Sequence, residues 1–175
     1  MRRWMTAVVA AVGAAAFTAG WTPVGQATAA TSATSSRQLA ASAASGPVPV
    51  FEVMTGTVHG LGKVLVDGQG FTLYVFAPDK HSGRSTCYGR CASAWPPLVL
   101  PSGVSQTPAG SGVRSALLGT TTRRDGSVEV TYKKWPLYTW VVDTAPGDAT
   151  GQDLNNLGGK WYVITPAGLV LTKHV

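Results

Sequence analysis

Charged side chains are scarce in this sequence, which has only 8 Asp and Glu and 14 Lys and Arg among its 175 residues. The formal charge of +6 is thinly spread, and after Arg2 and Arg3 at the N-terminus the longest basic clusters are two pairs, Arg123 with Arg124 and Lys133 with Lys134. A nucleic-acid-binding domain concentrates basic residues on one face or along one helix. The distribution therefore argues against nucleic acid as a partner.

Catalytic motifs are also missing. The sequence has no nucleophile elbow, no phosphate-binding loop and no paired-carboxylate motif. The three histidines, His59, His81 and His174, share no ligand spacing. We therefore predict that the protein is not an enzyme and that it carries no cofactor.

Three aspartates recur at five-residue intervals and are the best candidates for a metal site. Carboxylates at Asp143, Asp148 and Asp153 could serve a hard cation such as calcium. The spacing matches no EF-hand, and the glycine-rich surroundings are equally typical of turns. We predict no metal site and keep these three residues as candidates.

The N-terminal residues predict export. A positive start, MRRW, precedes the apolar stretch MTAVVAAVGAAAFTAGW, and ATA at 27–29 fits a signal-peptidase site. We predict a signal peptide over residues 1–29, so that membrane contact ends with cleavage; a retained membrane anchor is the alternative. Residues 30–48 are small and polar and predict a disordered spacer. The folded domain is then 49–175.

The chain has only two cysteines, Cys87 and Cys91. In an exported protein an even number of cysteines indicates a disulfide. The Cα atoms of a disulfide lie about 4.4–6.8 Å apart, so a bonded CYGRC segment must be a turn or a helical turn. A redox-active pair and metal or haem ligation remain alternatives, although no Cys-x-x-Cys-His motif is present.

One phrase occurs twice, as LYVFAPD at 73–79 and LYTWVVD at 137–143. The similarity extends backwards, because residues 62–79 align without a gap on residues 126–143 and pair Val64 with Val128 and Val66 with Val130. Such self-similarity indicates an internal duplication. We predict two repeats, at about 56–100 and 113–171.

Each copy has the pattern of a β-hairpin. Valines alternate in the first strand, DGQG is a strong turn signal in the first copy, and TYKK is a weaker one in the second. The fold class is therefore mainly β, with two related hairpin repeats in one small antiparallel domain. In the return strand, Tyr and the next aromatic share a face, and the Asp that follows can accept backbone N–H bonds. These motif residues are Tyr74, Phe76, Asp79, Tyr138, Trp140 and Asp143.

The doubled Tyr-x-aromatic-x-x-Asp phrase, STCYGRCASAWPPL and PGDATGQDLNNLGGKWYVI occur in this order. Residues 50–170, which contain these motifs, resemble the bacterial secreted repeat family. Members of that family are predicted lipoproteins that share the Tyr–Asp motif. The resemblance implies an exported bacterial protein, in the cell envelope or secreted, and it implies no activity. The chain departs from many relatives because its N-terminal region has no lipid-acceptor cysteine.

We therefore expect a non-enzymatic exported β-repeat protein that binds or scaffolds at the cell surface, with an unknown extracellular ligand. The alternative is an extracytoplasmic metal-binding or redox accessory protein that uses Cys87, Cys91, His81 or the aspartate loop. The sequence does not predict an oligomeric state.

Overall fold

The computed structural model describes residues 47–172. The predicted signal peptide and most of the predicted spacer lie outside these residues. The described part contains eight strands and one short helix, α1 at Arg90–Ala94, with 3-10 turns at Ala77–Asp79 and Ser115–Leu117. The strands are β1 Val53–Val58, β2 Gly62–Asp67, β3 Tyr74–Phe76, β4 Leu118–Thr122, β5 Val128–Tyr132, β6 Trp135–Pro136, β7 Asn155–Asn156 and β8 Gly159–Val163.

All strand pairs within the sheets are antiparallel. One sheet joins β1 to β2, a second has the order β4-β5-β6, and the third has the order β3-β8-β7. The third sheet combines the repeats, because β3 belongs to the first copy and β8 to the second. The prediction of a mainly β, antiparallel fold with two repeats is confirmed. No helix in residues 47–172 is long and apolar enough to cross a membrane.

The structure revises the alignment of the two hairpins. Leu65 donates its N–H to Ile164 and accepts from Leu73, while Val130 donates to Leu98 and accepts from Leu137. Leu65 therefore corresponds to Val130 and not, as the gapless alignment has it, to Glu129. The lead strands are offset by one residue from that alignment.

A turn of different length explains the offset. In the first copy, Asp67 donates its N–H to Phe71, so three residues connect the strands, and the Asp67 carboxylate accepts from Gln69 and Phe71. In the second copy Tyr132 pairs with Trp135, so only two residues connect the strands. Both are lysines with positive φ, which is typical of a two-residue type I′ turn. The predicted turns are present, but the second is one residue shorter.

The core consists of two groups of buried side chains. One surrounds Leu65, Leu73, Val130 and Leu137, and the other contains the motif tyrosines and two tryptophans, Trp95 and Trp161. Cys87 and Cys91 form a disulfide with their Cα atoms 5.2 Å apart, and both belong to the second group. Helix α1 begins within the disulfide loop, after Gly89 at φ 56°.

Candidate functional site

The two copies of the repeated phrase exchange their polar partners. The Tyr74 hydroxyl donates to Asp143 Oδ2 at 2.6 Å, and the Tyr138 hydroxyl donates to Asp79 Oδ2 at 2.7 Å. All four side chains are buried. Each bond joins the tyrosine of one repeat to the aspartate of the other, so these cross-repeat Tyr–Asp pairs hold the repeats together.

The other oxygen of each aspartate organises the loop that follows. Asp79 Oδ1 accepts from the backbone N–H and the hydroxyl of Thr86, at 2.7 and 2.6 Å. Asp143 Oδ1 accepts the same two groups of Thr150, at 2.9 and 2.6 Å. A carboxylate that accepts several such bonds pins a loop strongly. The expected role of each aspartate as a loop anchor therefore accounts for the bonds to Oδ1, and the bond to the opposite repeat uses Oδ2.

The backbone of the two tyrosines marks the approximate two-fold axis. Tyr74 N–H donates to the Tyr138 carbonyl at 2.8 Å, and Tyr138 N–H donates to the Tyr74 carbonyl at 3.0 Å. This reciprocal pairing is that of an antiparallel bridge. The duplicated phrases therefore meet at the centre of the domain, facing each other.

Four aromatic rings stack across the same axis, in the order Phe76, Trp161, Trp95 and Trp140. The ring centroids are 4.2, 3.9 and 4.1 Å apart along the stack, and the two central indoles are nearly parallel. Tyr74 meets the edge of Trp95, and Tyr138 meets the edge of Trp161. Offset stacking and edge contacts are favourable aromatic geometries. This ring stack places the motif aromatics in the repeat interface.

Burial controls the protonation of the polar groups in the interface. It raises the pKa of Tyr74, and so do the hydrogen bond and charge of Asp143. It also raises the pKa of Tyr138, to which the charges of Glu129 and Asp79 add. Burial raises the pKa of Asp79 as well, against the lowering effect of its hydrogen bonds. Both hydroxyls therefore stay protonated and act as donors, as expected of structural cross-links rather than of a general base.

The repeats differ next to this interface. Val58 and Val64 of the first copy correspond to Arg123 and Glu129 of the second, because Leu61 N–H donates to Val58 as Gly126 N–H donates to Arg123. The valines are buried, and the Arg123 Nη1 to Glu129 Oε2 ion pair that replaces them is equally buried, at 2.7 Å. The second copy thus carries a buried charge pair where the first is apolar.

Burial of this pair disfavours the charged form of the Glu129 carboxylate. Arg123 also donates to Ser85 Oγ at 2.8 Å and to the Cys87 carbonyl at 2.7 Å. Burial lowers the pKa of Arg123, but the hydrogen bond and charge of Glu129, together with Tyr138 and Tyr88, outweigh it and raise the pKa overall. Burial raises the pKa of Glu129 to about 8 despite Arg123. Its Oε1 has no hydrogen-bond partner among the described residues, which explains why the attraction does not offset the desolvation.

An open groove of about 640 Å³ lies beside the ion pair. We call it the Arg–Tyr groove; it is lined by Arg84, Ser85, Thr86, Tyr88, Thr121, Thr122, Arg123 and Arg124. The guanidinium carbon of Arg124 lies 3.9 Å from the centre of the Tyr88 ring, and that of Arg123 lies 4.6 Å from it. Cation–π contacts of this kind hold a guanidinium in place while its N–H groups remain available.

Two of these guanidinium groups are available for a ligand. Arg84 and Arg124 are exposed, and their side chains have no hydrogen bond or ion pair within residues 47–172. Asp125, the nearest carboxylate in sequence, uses one oxygen for Ser127, and its other lies 3.8 Å from Arg123 Nε. The groove therefore presents unneutralised positive charge beside an aromatic ring.

The remaining candidate carboxylates point to separate partners. Asp148 Oδ2 accepts from the N–H groups of Thr144 and Ala145, at 2.8 and 2.9 Å. Asp153 Oδ1 accepts from Lys160 at 2.6 Å. With Asp143 in its cross-repeat pair, the three aspartates do not converge on one point. Within the described residues no group of three or more His, Cys, Asp or Glu side chains is placed to hold a metal ion.

Sequence analysis missed several residues of this region. Thr86 and Thr150 stand seven residues after the motif aspartates, a matched spacing that could have extended the repeated phrase. The sequence pattern did not indicate that Arg123 and Glu129 form a buried pair, since a charged residue near a turn is normally exposed. Tyr88 lies between the two cysteines, within the CYGRC segment.

Comparison with known proteins supports the duplication. Residues 57–99 and 119–165 each match the model of a family described as a secreted repeat of unknown function, and together they span more than half of the chain. The chain belongs to this family. The family resemblance drawn from the sequence is thereby confirmed, and the protein is a secreted repeat protein. No curated protein matches it significantly. No solved structure does so either.

Proposed function

We propose that this secreted repeat protein is a non-enzymatic binding module that is exported by its N-terminal signal and acts at the bacterial cell envelope. The motif residues support a structural role, since both tyrosines and both aspartates are buried and satisfied by one another and by loop groups. The duplicated phrase thus builds the interface and leaves ligand contacts to the surface.

The observation that carries the proposal is the Arg–Tyr groove. Arg84 and Arg124 are exposed cations without an anionic partner in the described part of the chain, and the Arg124 guanidinium lies over the Tyr88 ring. Guanidinium groups bind carboxylate and phosphate through paired hydrogen bonds, each stronger than a neutral one. The ligand class is therefore an anion that carries carboxylate or phosphate groups.

The alternative is a metal-binding or redox accessory protein that uses Cys87, Cys91, His81 or the aspartate loop. In the structure the cysteines are joined in a disulfide, and the His81 ring lies 5.6 Å from the Trp135 ring. Neither the disulfide nor the contact between the His81 and Trp135 rings favours a metal-binding or redox role over the proposed anion binding.

Binding of a labelled pentaglutamate peptide and of inorganic tripolyphosphate tests the proposal. The Arg84→Gln, Arg124→Gln double variant should weaken binding of at least one probe by about tenfold or more. The Arg90→Gln, Arg114→Gln variant removes the same charge from exposed arginines that do not line the groove, so it is the control. Equal weakening in both variants would mean non-specific attraction and would contradict a groove site.

A further inference from the structure

The outer edge of β1 is covered by a segment of the chain itself, residues 108–111, which we call the strap. Val53 donates its N–H to Pro108 at 3.2 Å and accepts from Gly110 at 2.8 Å, and Thr55 donates to Ser111 at 3.3 Å. Val53 and Ala109 form a parallel bridge. The strap thus adds a short parallel strand to the first repeat.

The equivalent edge of the second repeat is open. Leu118 and Thr120 of β4 correspond to Val53 and Thr55 of β1. Lys133 donates its N–H to Leu117, so alternate residues of β4 face β5, and Leu118 and Thr120 direct their backbone groups away from it. The Leu118 N–H donates to the Ser115 carbonyl in the preceding 3-10 turn. The Leu118 carbonyl and both outward backbone groups of Thr120 have no hydrogen-bond partner within residues 47–172.

Steric details show what the open edge can accept. In the first repeat, a Cβ on Gly110 of the strap would lie 2.4 Å from Met54 Cγ, so the strap needs glycine there. The counterpart of Met54 on β4 is Gly119, which has no side chain. Glycine inside a strand often marks a place where another backbone approaches closely. A strand on β4 can therefore carry a side chain where the strap cannot.

Space exists beside this edge. A groove of about 440 Å³ is lined by β4 residues and by Ser105, Gln106, Thr107 and Ser115. The hydroxyl oxygen of Thr107 is buried and has no hydrogen-bond partner in the described residues. The groove therefore leaves room for a segment between β4 and residues 105–107.

We propose that β4 binds an extended peptide segment of a partner protein by strand addition, parallel to β4, as the strap binds β1. Exposed edges of this kind are templates for pairing, and β4 contains no charged residue or proline that would prevent it. Lys133 and Lys134 are exposed and line a cleft with Leu118 at the start of β4, so an acidic residue at the N-terminal end of the peptide is favoured. The site goes beyond the Arg–Tyr groove, because neither Arg84 nor Arg124 takes part in it.

Amide hydrogen exchange measured by NMR tests the pairing with two synthetic peptides. DETPAGSGV copies the strap behind two acidic residues, and DETPAVSGV has valine in place of the strap glycine. At saturating peptide the outward amide of Thr120 should exchange at least about tenfold more slowly, while those of Gly119 and Thr121, already bonded to β5, should not change. Wild-type protein should bind both peptides.

Three variants separate edge pairing from other binding. Thr120→Pro removes only an outward N–H and should weaken binding about tenfold or more, whereas Thr120→Ala keeps that N–H and should bind normally. Gly119→Met reproduces the crowding of the first repeat and should weaken binding of the valine peptide about tenfold relative to the glycine peptide. This last comparison stays decisive if Thr120→Pro fails to fold.

Four results would overturn the proposal. The first is peptide binding without slower exchange at Thr120, and the second is equal binding of both peptides by Gly119→Met. The third is loss of edge protection in the Arg84→Gln, Arg124→Gln variant, which would assign the peptide to the Arg–Tyr groove. The fourth is protection that appears without peptide and grows with protein concentration, which would mean that a second copy occupies the edge.

Discussion

A double-mutant cycle on Tyr74 and Asp143 measures the bond that joins the two repeats. Tyr74→Phe deletes the hydroxyl that donates to Asp143 Oδ2 at 2.6 Å and leaves the ring in place. A buried hydrogen bond to a charged group contributes about 1.5–3 kcal/mol, so this variant should lose that amount of unfolding free energy.

Asp143→Ala should cost more, because it also removes the two bonds that Thr150 donates. Those bonds are lost equally whether residue 74 is tyrosine or phenylalanine, so their contribution cancels in the cycle. The remaining coupling between the two side chains should be about 1.5–3 kcal/mol. Urea unfolding of the four proteins, followed by tryptophan fluorescence, provides the free energies.

The control is the pair that the sequence places together. Tyr74 and Asp79 belong to one copy of the phrase but share no hydrogen bond in the structure, since Asp79 Oδ2 accepts from Tyr138. Tyr74→Phe and Asp79→Ala should therefore be additive within about 0.5 kcal/mol. Strong coupling of Tyr74 to Asp79, with none to Asp143, would refute the exchanged arrangement.

Two further perturbations test the buried ion pair and the disulfide. Burial raises the pKa of Glu129 from 4.5 to about 8, so its folded pKa is above its unfolded one. The stability that protonated Glu129 contributes below pH 4.5 is therefore lost as the pH rises through 8. The unfolding free energy of wild type minus that of Glu129→Gln should accordingly decrease by at most about 5 kcal/mol as the pH rises from 4.5 to 8. A pH-independent difference in urea unfolding would show that Glu129 does not titrate in this range. The Cys87→Ala, Cys91→Ala variant should still fold and should lose about 2 kcal/mol, because the bond closes a very short loop; complete unfolding at 25 °C, seen by circular dichroism, would contradict that estimate.

The repeated phrase, with the valine alternation and the turn residues before it, was sufficient to predict a duplication, hairpins and aromatic side chains on one strand face, because these features depend on local pattern. A Tyr with an aromatic two residues later places both rings on one face of an extended strand, and glycines and a proline stop the strand nearby. Tyr74 and Phe76 behave accordingly in β3, where both are buried. The turn after β2 followed from its sequence for the same reason.

Tertiary structure alone decided which residues meet. Nothing in the local pattern distinguishes a Tyr74 bond to Asp79 from one to Asp143, and the choice follows from β3 pairing with β8 of the other repeat. The one-residue offset of the lead strands was also hidden, since only backbone pairing shows that the Lys133 turn is shorter. Burial of Arg123 and Glu129 depends on the same offset, which brings both to positions that are valines in the first repeat. Sequence thus determined the local elements, and long-range pairing determined their partners, because contact between distant residues depends on how whole strands associate.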